Sequence, residues 1–147
     1  MKDRAHPDGR AWEVAVLTFY RGQERLLRQK VASVLNTYPR RVFRYWTGGK
    51  DRVRIEVCTV DRFQGHEADY VMLSLVRTNA VGFLDSPNRL NVALTRARYQ
   101  LMIFGHRAFF QRKYMRDRAR FLYDLACDEV GTPTHRPYAT KKHRKRS

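Results

Sequence analysis

Two clusters of residues suit chemistry on phosphates. In the first, Val57 to Ser74 reads V-C-T-V-D-R-F-Q-G-H-E-A-D-Y-V-M-L-S, an apolar run that opens into a polar loop and closes on a second apolar run. Thr59 and Asp61 stand at the end of the first run, where parallel sheets place ligand sites. Gly65 permits close backbone approach or a left-handed turn beside Gln64. A carboxylate at Glu67 can hold a water or a cation, or link to phosphate-binding arginines; the plainer alternative is a local salt bridge. Phe63 is able to stack on a base, although an aromatic there belongs as often to a core. In the second cluster, Asn88 to Arg98 reads N-R-L-N-V-A-L-T-R-A-R. On a helix, Leu90, Leu94 and Ala97 face one way, while Arg89 and Arg96 share an adjacent stripe and Arg98 points elsewhere. An arginine mounted at the rim of a packed helix is placed to meet charge developing on a transferring phosphoryl group. The alternative is a surface arginine paired with a neighbouring acid.

The elements that must position these groups alternate. Apolar runs at 13–19, 55–60, 70–76 and 100–104 read as strands buried on both faces, with a further short strand at 42–46. Leu26, Leu27, Val31, Val34 and Leu35 recur at helical spacing after Tyr20. Asp85 or Ser86 caps a second helix, with Pro87 in its first turn, running to about Ala97. Residues 108–126 read as one long amphipathic helix rich in arginine. Strands alternating with helices predict an α/β domain on a mainly parallel sheet. Residues 1–10 read as a flexible leader, 11–127 as the domain, and 128–147, ending in K-K-H-R-K-R, as a basic disordered tail.

The bulk properties narrow the function classes. A chain of 147 residues with 43% apolar content forms one domain with a real core. Its net charge of +16 and pI of about 10.6 favour a nucleic-acid partner. The predominance of arginine over lysine suits bidentate phosphate contacts. The two cysteines, Cys58 and Cys127, have no CxxC or Cys/His spacing, so no metal site is expected. Cys58, inside an apolar run, reads as a buried small residue. No signal segment and no apolar run of membrane-spanning length is present. The expectation is a soluble, intracellular protein without a membrane partner, cytoplasmic, or nuclear if eukaryotic.

The two clusters resemble motifs V and VI of the superfamily 1B helicases, the branch of the Upf1-like and Dna2-like enzymes. Thr18-Phe19-Tyr20-Arg21-Gly22-Gln23 resembles the same family's motif IV, with Phe19 at the usual proline. Ser74 to Asn79 resembles the segment after motif V. The resemblance spans residues 11–126, with the motifs in family order. It implies the second RecA-like domain of such a helicase, a three-layer domain whose parallel sheet is flanked by helices. By that resemblance Arg96 is the arginine finger, acting with Glu67 and Gln64. Tyr20, Arg21, Gln23, Gly65 and Arg89 belong on the nucleotide side. Thr59, Asp61, Phe63, Arg77 and Thr78 belong on the side of a single-stranded DNA or RNA.

One half of an ATP site is not in the sequence. A phosphate loop needs G-x-x-x-x-G-K-[ST], whose backbone amides cradle phosphate. Gly48-Gly49-Lys50-Asp51 has neither the spacing nor the hydroxyl, and no apolar strand ends in Asp-Glu to hold magnesium. ATP and Mg2+ are therefore expected only with a RecA-like domain 1, in cis or in trans, and the isolated chain is expected to be inactive. A nonenzymatic basic nucleic-acid-binding module on the same fold is the alternative. The scattered acids argue against a metal-dependent nuclease.

Overall fold

The computed structural model describes residues 5–46, 52–75 and 87–127. The expected cap at Asp85 or Ser86, the candidates Arg77 and Thr78, and the tail 128–147 lie outside the described residues. Five strands form one sheet: β1 (Trp12–Thr18), β2 (Val42–Trp46), β3 (Arg52–Thr59), β4 (Ala68–Ser74) and β5 (Ala97–Phe104), in the order β2-β3-β1-β4-β5. β3, β1, β4 and β5 run parallel; β2 is antiparallel to β3 and forms an edge. This is the RecA-like arrangement. β1 lies at its centre because Ala15 and Leu17 bury one face of the strand and Val16 the other, as the uninterrupted apolar run requires.

Each face carries its own apolar layer. On one, α1 (Arg21–Val34) lays Leu27, Val31 and Ala32 against Val16, Val57 and Phe43. On the other, Leu17, Cys58, Val71 and Leu73 meet Leu90 and Ala93 of α2 (Pro87–Leu94). That layer is completed by Phe109 and Phe110 of α3 (Arg107–Phe110), Met115 of α4 (Lys113–Arg118) and Leu122 of α5 (Arg120–Cys127). Burial pushes the Cys58 thiol up to about 12, so it stays a neutral packing group. No helix among the described residues is long and apolar enough to cross a membrane.

The single helix expected over 108–126 is three helices. Phe110 and Met115 are both buried, yet on one continuous helix they would point roughly 140° apart. Extended backbone at Arg112 breaks the helix between them and lets both side chains reach the core, and a second, non-helical break follows at Ala119. The second expected helix also stops early, at Leu94 rather than Ala97. Thr95 Oγ1 donates to Asn91 O at 2.8 Å and Arg96 Nε to Val92 O at 2.9 Å. The Asn91 and Val92 carbonyls of the last turn are thereby satisfied, and the chain turns into β5, where Ala97 sits in register with Ala68.

Residues 5–10, read from the sequence as part of a flexible leader, fold onto the start of the sheet. His6 is 3% exposed and packs edge-on against Trp12, in a ring cluster that takes in Tyr70 and Tyr99. The aromatic faces supply the apolar contact that the polar sequence 1–10 conceals.

Gly105 closes β5 where a Cβ would stand 2.8 Å from the Phe110 ring and 3.3 Å from Leu75 Cβ. Phe110 is itself buried, so the ring has no free direction. Gly105→Ala is expected to cost about 1–3 kcal/mol through overpacking. Thermal denaturation checks this, and an unchanged midpoint would contradict it.

Candidate functional site

The C-terminal ends of β1 and β3 open into a cleft of about 420 Å³ lined by Phe19, Tyr20, Arg21, Thr59, Asp61, Arg62 and Arg89. The topology explains the assembly. Parallel neighbours β1 and β3 end together, Thr18 beside Thr59, so the chain leaving β1 meets the 3₁₀ turn Val60–Phe63 leaving β3. α2 packs over that turn and places Arg89 Nε 3.1 Å from Asp61 Oδ1. Five residues singled out in separate sequence segments, Tyr20, Arg21, Thr59, Asp61 and Arg89, thus share one cleft. With three arginines to one carboxylate and an aromatic ring on the wall, the cleft suits an anion bearing a flat ring.

The remaining candidates fall elsewhere. Gln23 Nε2 donates to Ser74 Oγ at 3.3 Å and tethers α1 to the end of β4. Phe63 is 3% exposed inside the core, so it presents no face to a base; its side chain plugs the layer beneath the 3₁₀ turn. Gly65 takes φ +82, the left-handed conformation its position invites, and leaves Gln64 exposed on the loop. Glu67 reaches the start of β4 and pairs with Arg98 Nε at 3.4 Å. Arg96, expected on the helix stripe with Arg89, lies beyond the helix end and holds its last turn. Its carbonyl accepts from Ala68 N at 3.0 Å, which sets Arg96 and Glu67 at the starts of neighbouring strands. Six residues of strand separate that rim from the cleft, roughly 20 Å. The candidates therefore form two groups at opposite rims of the sheet.

The second rim holds a charge network that the motifs did not reveal. Asp69 is fully buried, receives Arg10 through both guanidinium nitrogens, Nη1 at 2.8 Å, and accepts from Glu13 N at 2.9 Å. Arg98 Nη1 reaches Glu13 at 3.0 Å and Asp69 at 3.5 Å. Burial drives the Asp69 carboxyl upward, but the Arg10 fork, the Glu13 amide and the surrounding positive charge outweigh it and hold it below the ordinary carboxylate range. A usable signal was present: an acid inside an apolar strand, Ala68-Asp69-Tyr70-Val71, has to be matched by a cation. Arg98 had been read as pointing away; on a strand rather than a helix it turns onto this network.

Comparison with known proteins gives the family. The family model described as "AAA domain" matches residues 2–108. The chain belongs to the AAA domain family. Within it, this AAA domain is of the Upf1-like superfamily 1B helicase type. It is 40% identical over 100 residues to the ATP-dependent helicase NAM7 of Saccharomyces cerevisiae, covering 64% of this chain and 9% of that protein. It is 43% identical over 99 residues to the RNA helicase aquarius of Mus musculus, covering 67% and 6%. It is 40% identical over 92 residues to the 5'-3' DNA helicase ZGRF1 of Mus musculus, covering 63% and 4%. The AAA domain thus spans less than a tenth of the length of these relatives.

Proposed function

We propose that this chain is the C-terminal motor domain of an ATP-dependent superfamily 1 helicase. In this reading it supplies arginines and part of a single-strand groove to a nucleotide site completed by a phosphate-loop domain. The observation that carries the reading is the cleft in which the three motif segments meet. Tyr20 offers a ring for a base, and Arg21, Arg62 and Arg89 offer cations for phosphate oxygens, Arg89 being aligned by Asp61. These residues fit the base and part of the phosphate chain of ATP. They do not form a phosphate cradle, and Mg2+ is assigned to the partner domain's acids. ATP, when bound, supplies the phosphoryl group whose hydrolysis drives strand movement. On this chain Arg96 is assigned the arginine finger and Glu67 with Gln64 the positioning of water. Arg96 and Glu67 stand at the opposite rim, roughly 20 Å from the cleft, so these roles require the γ-phosphate to lie at that rim and are tested separately from the cleft. A single strand of DNA or RNA is assigned the polar rim around Thr59 and Asp61, together with Arg77 and Thr78.

The test is ATP hydrolysis by the purified chain at low salt, with and without single-stranded DNA, then with a phosphate-loop domain added in trans. The expected result is no turnover alone, salt-dependent strand binding, and turnover only with the added domain. Strand-stimulated hydrolysis by the chain alone, removed by Arg96→Ala, would overturn the half-site assignment.

A further inference from the structure

Beyond Arg21, which the motif after β1 already accounts for, the α1 face of the sheet carries a cationic surface that none of the motifs covers. Arg21, Arg25 and Arg28 recur along one stripe of α1. With Arg62 they line a hollow of about 350 Å³ whose far wall is Pro39. Its only carboxylate among the lining residues is Glu24, which is 5% exposed and already held by Arg28 and by Arg62, the latter at 3.3 Å. Two arginines on one buried acid leave the hollow with a cationic surplus. Arg21 and Arg25 are exposed and meet no carboxylate among the described residues.

The turn at 37–40 lines this hollow on one side and, on the other, a second hollow of about 590 Å³ that runs along β2. No acid lines the second hollow among the described residues; Arg40 and Tyr45 do. Tyr45 is 43% exposed, and it shares the α1 side of β2 with Phe43, because alternate strand residues face the same way. Tyr38, 78% exposed, stands on the turn between the two hollows. The first hollow also shares Arg21 and Arg62 with the cleft at the strand ends. The result is a row of arginines on either side of the turn at 37–40, with exposed rings at Tyr38 and Tyr45, running from the edge strand towards the cleft.

We propose that this path binds a single strand of nucleic acid, Arg25 and Arg40 taking phosphates and Tyr38 and Tyr45 stacking on bases. Charge complementarity selects a polyanion. Exposed rings interleaved with arginines select a strand whose bases are unpaired, since a duplex hides its base faces. The path would lead a strand past α1 to the side of the cleft that Arg21 and Arg62 form. It rests on the proposed function for the class of partner alone; its geometry does not depend on nucleotide binding.

The test measures binding of a fluorescent oligothymidylate and of a duplex of equal length to the full chain by anisotropy across a salt series. Arg25→Glu with Arg40→Glu is compared with Arg116→Glu with Arg118→Glu, an equal charge change on the opposite layer, and circular dichroism checks the fold of each. The path variant is expected to weaken single-strand binding about tenfold more than the control and to flatten its salt slope by roughly 0.7 per arginine removed. Tyr45→Ala is expected to weaken single-strand binding several-fold and leave duplex binding unchanged. Equal losses in path variant and control would overturn the proposal, as would loss of all binding on removal of residues 128–147. If the path variant binds weakly while turnover with a phosphate-loop domain is absent, the path stands and the motor assignment fails.

Discussion

In the complete two-domain enzyme, Arg96→Ala is expected to lower ATP turnover by at least about a thousandfold, the scale on which arginine fingers act, while strand binding persists. The guanidinium is half-buried and fixed at two points, Nε on Val92 O at 2.9 Å and Nη2 on Thr95 Oγ1 at 3.3 Å. A cation held this way has lost most of its rotamer freedom before any phosphate arrives, which is what electrostatic preorganisation requires. Because Arg96 also closes the last turn of α2, Arg96→Ala alone would confound a structural loss with a chemical one. Arg96→Lys separates them: the charge stays near the helix end and the planar fork is lost. It is expected to melt within about 2 °C of the parent, since exposed or half-exposed substitutions cost little, and still to lose most turnover. The decisive comparison is steady-state hydrolysis against melting temperature for both variants. Retained turnover in Arg96→Ala would reject the finger assignment and shift it to the cleft arginine Arg89.

Asp69→Asn is expected to destabilise the domain by about 2–3 kcal/mol. Breaking a buried ion pair costs about 3–5 kcal/mol, reduced here because Arg10 keeps a third of its surface and can rehydrate. The substitution leaves an acceptor for the Glu13 amide but removes the charge shared by Arg10 and Arg98. For a domain of this size the melting temperature should fall by about 10 °C. The pH dependence carries the sign. Asp69 titrates below its ordinary value when folded, so the unfolded chain takes up the proton first as pH falls. The stabilisation is complete above the unfolded carboxyl range and is lost as pH drops through the folded value. Acid denaturation of the parent should therefore be steeper below about pH 4 than that of Asp69→Asn. An exposed neighbour, Asp8→Asn, serves as control. Parallel acid profiles for parent and Asp69→Asn would reject the role given to this carboxylate.

How far the sequence disclosed the site depends on which physical signal a residue leaves. The strands were legible because two-sided burial writes itself as an uninterrupted apolar run, and the cleft group was legible because loops at parallel strand ends converge. Phe63 was ambiguous for a good reason: an aromatic in a loop after a buried strand serves a core as readily as a base. The helix expected over 108–126 misled because periodicity counts apolar residues without asking whether all of them can reach one core, and Phe110 and Met115 cannot from a single helix. The extra three residues given to α2 misplaced Arg96 and misdirected Arg98, since a helix and a strand send the same residue to different sides. The Arg10–Asp69 clamp crosses almost 60 residues, and no local pattern announces so distant a partner.

The position of β1 has a consequence for how the chain acquires its shape. Trp12 aligns with Val53 and Val14 with Tyr70, so closing the two central pairings brings together segments roughly 40 and 55 residues apart, a slow, high-contact-order event. Of the strands in this sheet, β1 is made first and must wait for both of its neighbours. Until residue 59 has left the ribosome E-V-A-V-L-T-F has two unpaired edges, and until residue 74 follows it keeps one edge unpaired, a segment built for untimely association. A nascent chain stalled before that point is the form of this protein with the greatest need of a chaperone.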